Sequence, residues 1–228
     1  MSLIINKDQL KLHLIVFIWG FTGVLGKLIT IDGGSLAWIR MGIAFFGLTL
    51  FMMLRKISFK ISPKQLFILL GIGVIIAIHW ATFFIAIKVS TVSVALVCMS
   101  SSALFMSFLE PIILKKKIVP YEMIFGGIVI LAIWLIFEVE TKYALGIGLA
   151  LFSAFLAALF TALNAILIKN HNAIKITTYE MLGGCLGLAI FLSLNGTFEA
   201  ANWIPSTNDW IYLFILGLVC TEIGRAHV

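Results

Sequence analysis

The 228-residue chain is 62% hydrophobic and 11% charged, with a mean hydropathy of +1.15. A water-soluble domain is about 45–50% apolar and about 25% charged, so this sequence has too little polar surface to cover a soluble globule. Its apolar runs are continuous rather than alternating, which disfavours a β-barrel, and its net charge of +6 calls for no nucleic-acid partner, because loop cations serve membrane topology.

About 20 helical residues cross a hydrocarbon core, and the runs predict spans in chain order. The first covers 10–29; it carries Lys11 and His13 and lacks a small-residue cleavage site, unlike a cleaved signal peptide. A tight turn, "TIDGGS" (30–35), leads into the second span, 34–54. The polar loop "RKISFKISPK" (55–64) precedes the third, 65–87, and a short break leads to the fourth, 90–114. After "KKKIVP" (115–120) come spans at 120–138, 144–168 and 176–194, and an eighth begins near 209. The expected fold class is an all-α polytopic membrane protein. Cys98, Cys185 and Cys220 all fall in apolar segments without CxxC spacing and read as small buried hydrophobes rather than disulfide or metal ligands. No metal or cofactor is expected.

Positive charge orients the set. Lys7 and Lys11 precede span one; Arg55, Lys56, Lys60 and Lys64 lie between spans two and three. Lys115, Lys116 and Lys117 follow span four, and Lys169 and Lys175 separate spans six and seven. The alternate loops hold Lys27 with Asp32, Lys88, and Lys142 with Glu138 and Glu140, then Glu199 and Asp209. The N-terminus is therefore expected in the cytoplasm, with the protein in the cytoplasmic membrane.

The chain also resembles itself. "WIRMGIAFFGLTLF" (38–51) lies over "TYEMLGGCLGLAIF" (178–191), matching Met41 with Met181, Gly47 with Gly187, Leu48 with Leu188 and Phe51 with Phe191. "GFTGVLGKLI" (20–29) lies over "LFTALNAILI" (159–168), and "LLGIGV" of span three over "ILGLVC" of span eight. The offset is five spans, an odd number, so the second copy must be inverted, as in many carriers built from duplicated halves. The expected division is a first repeat at 1–140 and a partial second repeat at 141–222.

Three stretches carry a resemblance to a known family. They are "IWGFTGVLGKLI" (18–29), "AWIRMGIAFF" (37–46) and "HWATFFIAIKVSTVSVALVCMSSSALFMSFLEPIILKKKIVPYEMIFGGIVILAIWLIF" (79–137). In their order of Trp-Gly, span-two arginine, small polar cluster and Glu-Pro, they resemble the EamA family of the drug/metabolite transporter superfamily. The resemblance implies a ten-helix secondary carrier with a central substrate cavity between inverted five-helix repeats. It names no substrate.

Several residues are candidates for lining that cavity. Arg40 stands about six residues into span two, roughly 9 Å below one surface at about 1.5 Å per residue. An arginine at that depth needs pairing, water or a snorkelling route; it is either an anchor for a carboxylate-bearing substrate or a structural arginine bound to backbone carbonyls. His79 and Trp80, in span three, can hydrogen-bond and stack a substrate, or be satisfied by a neighbouring helix. Trp19 and Thr22 lie mid-span one, away from the interfacial belt where tryptophan concentrates. Ser100 and Ser101, within "CMSSSA" (98–103), offer hydroxyls to a ligand or to helix packing. Thr161 and Asn164 occupy the corresponding part of span six. Glu110, before Pro111, is a proton-coupling site or a brace against Lys115, with Pro111 kinking the helix. Glu180, the counterpart of Arg40, is expected to reach lipid headgroups.

The leading function is a secondary transporter that moves a small organic metabolite or amino-acid-like solute by alternating access, as an exporter, with a small-molecule substrate and the lipid bilayer as partners. An integral membrane enzyme would need clustered acids or histidines, which are scattered here; a non-transporting scaffold is the other alternative. The final "IGRAHV" (223–228) resembles a translated sequencing adapter and is set aside from fold reasoning. The repeat then predicts that the rest of span eight and two further spans are missing from the chain.

Overall fold

A computed structural model of the chain describes residues 7–117, 119–139, 141–199 and 203–218. Cys220, Glu222 and the 223–228 tail lie outside the described residues, as do the predicted spans beyond the eighth. The helices are α1 (Lys7–Leu28), α2 (Gly33–Leu54), α3 (Pro63–Val89), α4 (Val92–Met99), α5 (Ser102–Leu114), α6 (Pro120–Val139), α7 (Ala144–Leu167), α8 (Ala173–Leu194) and α9 (Thr207–Phe214). No strand occurs among the described residues. Among the described residues, five helical segments are long and apolar enough to cross a membrane: Gly33–Leu54, Pro63–Val89, Val92–Leu114, Thr141–Leu167 and Ala173–Leu194. The protein is an all-α, multi-span membrane protein.

Helix starts are set by short polar side chains that satisfy otherwise orphaned backbone N–H groups. Asp32 accepts from the N–H of Gly34 and Ser35, both at 2.9 Å. Ser62 heads α3 in a capping box with Gln65, with Pro63 in the first turn where no donor is lost. Thr91 caps α4, Asn172 caps α8, and Ser206 heads α9 in a second capping box with Asp209. Chain reversal after the helices uses left-handed backbone at Lys56 (φ 54°), Lys115 (φ 53°) and Gly196 (φ 67°).

These caps recur at fixed intervals. Asp32 and Asn172 are 140 positions apart, as are the left-handed Lys56 and Gly196. The two capping boxes, Ser62 with Gln65 and Ser206 with Asp209, are 144 apart. Close helix contacts follow the same rule. A Cβ on Gly73 would press on the Glu180 carbonyl; a Cβ on Gly217, 144 positions later, would lie 3.4 Å from the Arg40 carbonyl, 140 positions before Glu180. The structure therefore sets Gly217 opposite Gly73, not opposite Gly71 as the "LLGIGV" match has it. Apolar letters slide over one another freely, whereas a glycine packed against a neighbouring helix does not, as Gly73 is against Glu180 and Gly217 against Ile43.

The centre of the bundle is α3, which packs most extensively on α8 and α7 and also against α2, α1 and α4. Ile76, Phe84, Ala86 and Ile87 on α3 are fully buried, together with Met41, Ala44 and Met52 of α2 and Met181 of α8. Glycine lets the backbones meet: a Cβ on Gly183 would lie 2.5 Å from Leu70 Cα, and one on Gly33 would lie 2.6 Å from Ile85 N. Small residues of this kind are what allow close helix approach in lipid, where no hydrophobic force drives helices together. On the periphery, α6 exposes Ile124, Phe125, Ile128, Leu131 and Trp134, a face suited to lipid.

Span four departs from expectation. It is broken at Ser100–Ser101 into α4 and α5, whereas the helix runs on through Pro111. The Ser100 hydroxyl donates to the Val97 carbonyl and the Ser101 hydroxyl to the Cys98 carbonyl, each at 2.6 Å. Serine hydroxyls competing for the carbonyls of the preceding turn explain an interruption there.

Candidate functional site

Arg40 and Trp80 come together. From α2, the Arg40 guanidinium lies 3.8 Å from the centre of the Trp80 ring on α3, with the Phe84 ring at 5.7 Å. Arg40 is 4% exposed and Trp80 7%. A desolvated cation over an indole face gains about 2 kcal/mol, which offsets part of the cost of placing an arginine inside the bundle.

One residue along α3, His79 faces the other way and joins α7. Its Nδ1 is 2.9 Å from the Ser153 carbonyl and 2.7 Å from the Ser153 hydroxyl, which itself donates to the His79 carbonyl at 2.8 Å. A carbonyl can only accept, so Nδ1 carries the proton. The imidazole sits between Phe83 (6.5 Å) and Phe160 (5.5 Å). His79 and Trp80 are thus both buried, on different interfaces of α3.

The remaining candidates divide by exposure. Thr22 of α1 is buried, and its hydroxyl makes no hydrogen bond; the side-chain oxygen of Asn164 on α7 is likewise buried without one. Such atoms cost about 1–3 kcal/mol each when left unsatisfied. Ser101 is buried and back-bonded, whereas Ser100, Thr161 and Trp19 lie on exposed faces; Trp19 is 48% exposed. The Thr161 hydroxyl donates to the Ala157 carbonyl at 2.7 Å. Glu110 pairs with Lys116 at 2.6 Å, not with Lys115, and Lys116 is 61% exposed, so the pair is a surface brace of small energetic weight.

Glu180 is corrected by the structure. It is fully buried rather than reaching headgroups, because Gly73, Gly183 and Gly184 bring α3 and α8 into backbone contact around it.

Two further polar clusters were not singled out in the sequence. At the end of the bundle that holds Asp32, the buried Asp209 carboxylate accepts from Thr30 N–H (2.8 Å), the Thr30 hydroxyl (2.6 Å), Ser206 N–H (2.9 Å) and the Ser206 hydroxyl (2.8 Å). Beside it, Lys27 donates to the Ile87 carbonyl and Lys88 to the Ile29 carbonyl, lacing α1 to α3. At the lysine-rich end, Gln65 Nε2 meets His171 Nε2 at 2.9 Å, Lys175 donates to the Lys60 carbonyl at 3.1 Å, and Tyr179 donates to the Phe59 carbonyl at 2.6 Å. The two Ser-x-x-Gln/Asp capping boxes were legible as local signals; the partners across the fold were not. Among the described residues no three His, Cys, Asp or Glu side chains gather as a metal site.

A family model for the EamA-like transporter family matches residues 10–138, more than half of the chain. The chain belongs to the EamA-like transporter family. It is therefore a membrane transporter of the drug/metabolite type, with the bilayer as its surroundings and a small molecule as its cargo. No curated protein and no solved structure matches the chain.

Proposed function

We propose that this EamA-like chain is the greater part of a secondary carrier whose inverted helical repeats, the first at 1–140 and a partial second at 141–222, rock about a substrate site between them. The observation that supports this reading is the pairing of helix contacts: Gly73 against Glu180 of α8, and Gly217 against Ile43 and the Arg40 carbonyl of α2. Matching contacts made by α3 on α8 and by the segment following α9 on α2 are what a two-fold relation between inverted copies produces.

The proposed cargo is an amino-acid-like metabolite bearing a carboxylate, moved outward across the cytoplasmic membrane. Arg40 supplies the bidentate anchor, with the Trp80 face fixing the guanidinium. Thr22 and Asn164 contribute the buried oxygens that make no hydrogen bond. The buried His79, on the α7 side of α3, and the buried Ser101 are further candidates, as are Trp19, Ser100 and Thr161, which lie on exposed faces. Glu110 serves as a brace rather than a coupling site. The lysine-rich loops support a cytoplasmic N-terminus. No catalytic residue or cofactor takes part.

Thermal unfolding of the purified protein with matched solutes tests the cargo class. Amino acids are expected to raise Tm while their methyl esters do not, and Arg40→Gln is expected to abolish the difference. Equal stabilisation by acid and ester, or none by any carboxylate, contradicts the assignment.

A further inference from the structure

The two polar clusters at opposite ends of the bundle occupy equivalent places. Asp209 and Gln65 are each the third residue of a Ser-headed helix, 144 positions apart. Their partners stand in equivalent turns: Thr30 two residues ahead of the cap Asp32, and His171 one residue ahead of the cap Asn172. Each contact joins the end of one span to the start of another from the opposite half, one at each membrane face. We propose that they are the two gate latches of the carrier, and that the one at the lysine-rich face is a proton-operated switch centred on His171. The inference rests on the alternating-access reading and names what controls it.

The geometry at Gln65 fixes the chemistry. Its Oε1 accepts the Ser62 N–H at 3.3 Å, and its own N–H accepts nothing but donates to the Ser62 hydroxyl at 3.3 Å. The capping box therefore holds the amide with Oε1 turned back to the helix start and Nε2 turned to the imidazole. An amide NH2 has only hydrogens to offer, so His171 Nε2, at 2.9 Å, must be the acceptor and must carry no proton. A proton added there sets two donors against each other. The conflict ends if the amide flips, which forfeits the Ser62 N–H bond to Oε1, or if the two segments part.

The other latch has no such weakness. A carboxylate with four donors around it remains an acceptor throughout the pH range in which imidazole titrates. Acid at the lysine-rich face thus opens one latch and leaves the other shut, which biases the carrier towards the state open to that side.

The neighbours of the imidazole add charge of one sign only. Lys60 from the loop before α3 and Lys175 from the first turn of α8 line the same cleft, with Leu69 and Leu167. Lys64 is adjacent in sequence to Gln65, Lys169 stands two residues before His171, and Tyr179 lies one turn beyond Lys175. Among the described residues no carboxylate lines the cleft.

Hydrogen–deuterium exchange on the whole chain in bicelles reads the latch without requiring solute to move. With rates corrected for intrinsic pH dependence, protection of amides in 60–68 and 168–176 is expected to fall about fivefold or more between pH 8 and pH 5.5, the worth of one lost hydrogen bond. Protection around 28–34 and 204–210 is expected to hold. His171→Gln, neutral at every pH, is expected to show no pH step. Gln65→Glu keeps the acceptor for Ser62 N–H but attracts a protonated imidazole, so its step is expected to vanish or reverse. Wild-type protection that is equal at both pH values overturns the proposal, as does a His171→Gln chain that loses protection like the wild type. An acid-opened latch in a complete protein, with the missing spans restored, that moves no solute supports the latch and refutes the carrier reading instead.

Discussion

Replacing Gly73 by alanine adds one methyl group at the place where α3 and α8 touch through their backbones. That carbon would press on the Glu180 carbonyl oxygen and lie 2.9 Å from both the Glu180 carbonyl carbon and Gly184 N. Non-bonded heavy atoms rest at about 3.5 Å or more, so the helices must separate by at least about 0.6 Å, and neither obstacle is a side chain that can rotate away. Overpacking of this kind costs about 1–3 kcal/mol. Gly71, half a turn away on the same helix, is the control, because a Cβ there meets nothing within 4 Å. Alanine at that position should gain up to about 1 kcal/mol from helix propensity. Unfolding of the two variants in bicelles, measured by steric trapping or by denaturant titration, should therefore differ by about 1–4 kcal/mol, with Gly73→Ala the weaker. Equal stability of the two variants would refute the backbone contact, and with it the pairing of Gly73 and Gly217 that supports the inverted repeat.

Asp209→Asn keeps the size of the side chain but replaces one accepting oxygen with a donor facing the Thr30 and Ser206 groups. It is expected to destabilise the protein by about 2–3 kcal/mol, the scale of hydrogen bonds to a charged group, while Asp209→Glu shifts the carboxylate and costs less; equilibrium unfolding decides. Reporter fusions check orientation: a cytoplasm-active reporter placed after Lys60 should function, one placed after Gly196 should not, and the opposite pattern would invert the assignment.

Spans were legible because hydrocarbon thickness sets run length. The predicted 34–54 became Gly33–Leu54, and 65–87 became Pro63–Val89, which starts earlier because the Ser62–Gln65 capping box adds a turn beyond the apolar stretch. The break in span four was missed because Pro111 is the louder letter, yet it was the hydroxyls of Ser100 and Ser101 that took the carbonyls. Arg40 and Trp80 were each visible as unusual residues at membrane depth, but their stacking depends on the crossing of α2 and α3. Ser153, Thr30 and His171 carried no local signal, since each acts only through a partner at least 74 positions away. Glu180 looked like a snorkelling acid because the glycines that enclose it belong partly to another helix.

Solute exchange in proteoliposomes tests the carrier most directly. With the complete protein, including the further spans that the repeat predicts, reconstituted and vesicles loaded with an unlabelled amino acid, external labelled amino acid should accumulate transiently by counterflow, and Arg40→Ala should reduce the initial rate at least tenfold while Lys116→Ala leaves it unchanged. Absence of counterflow for every carboxylate-bearing solute tried, or full activity in Arg40→Ala, would contradict the account.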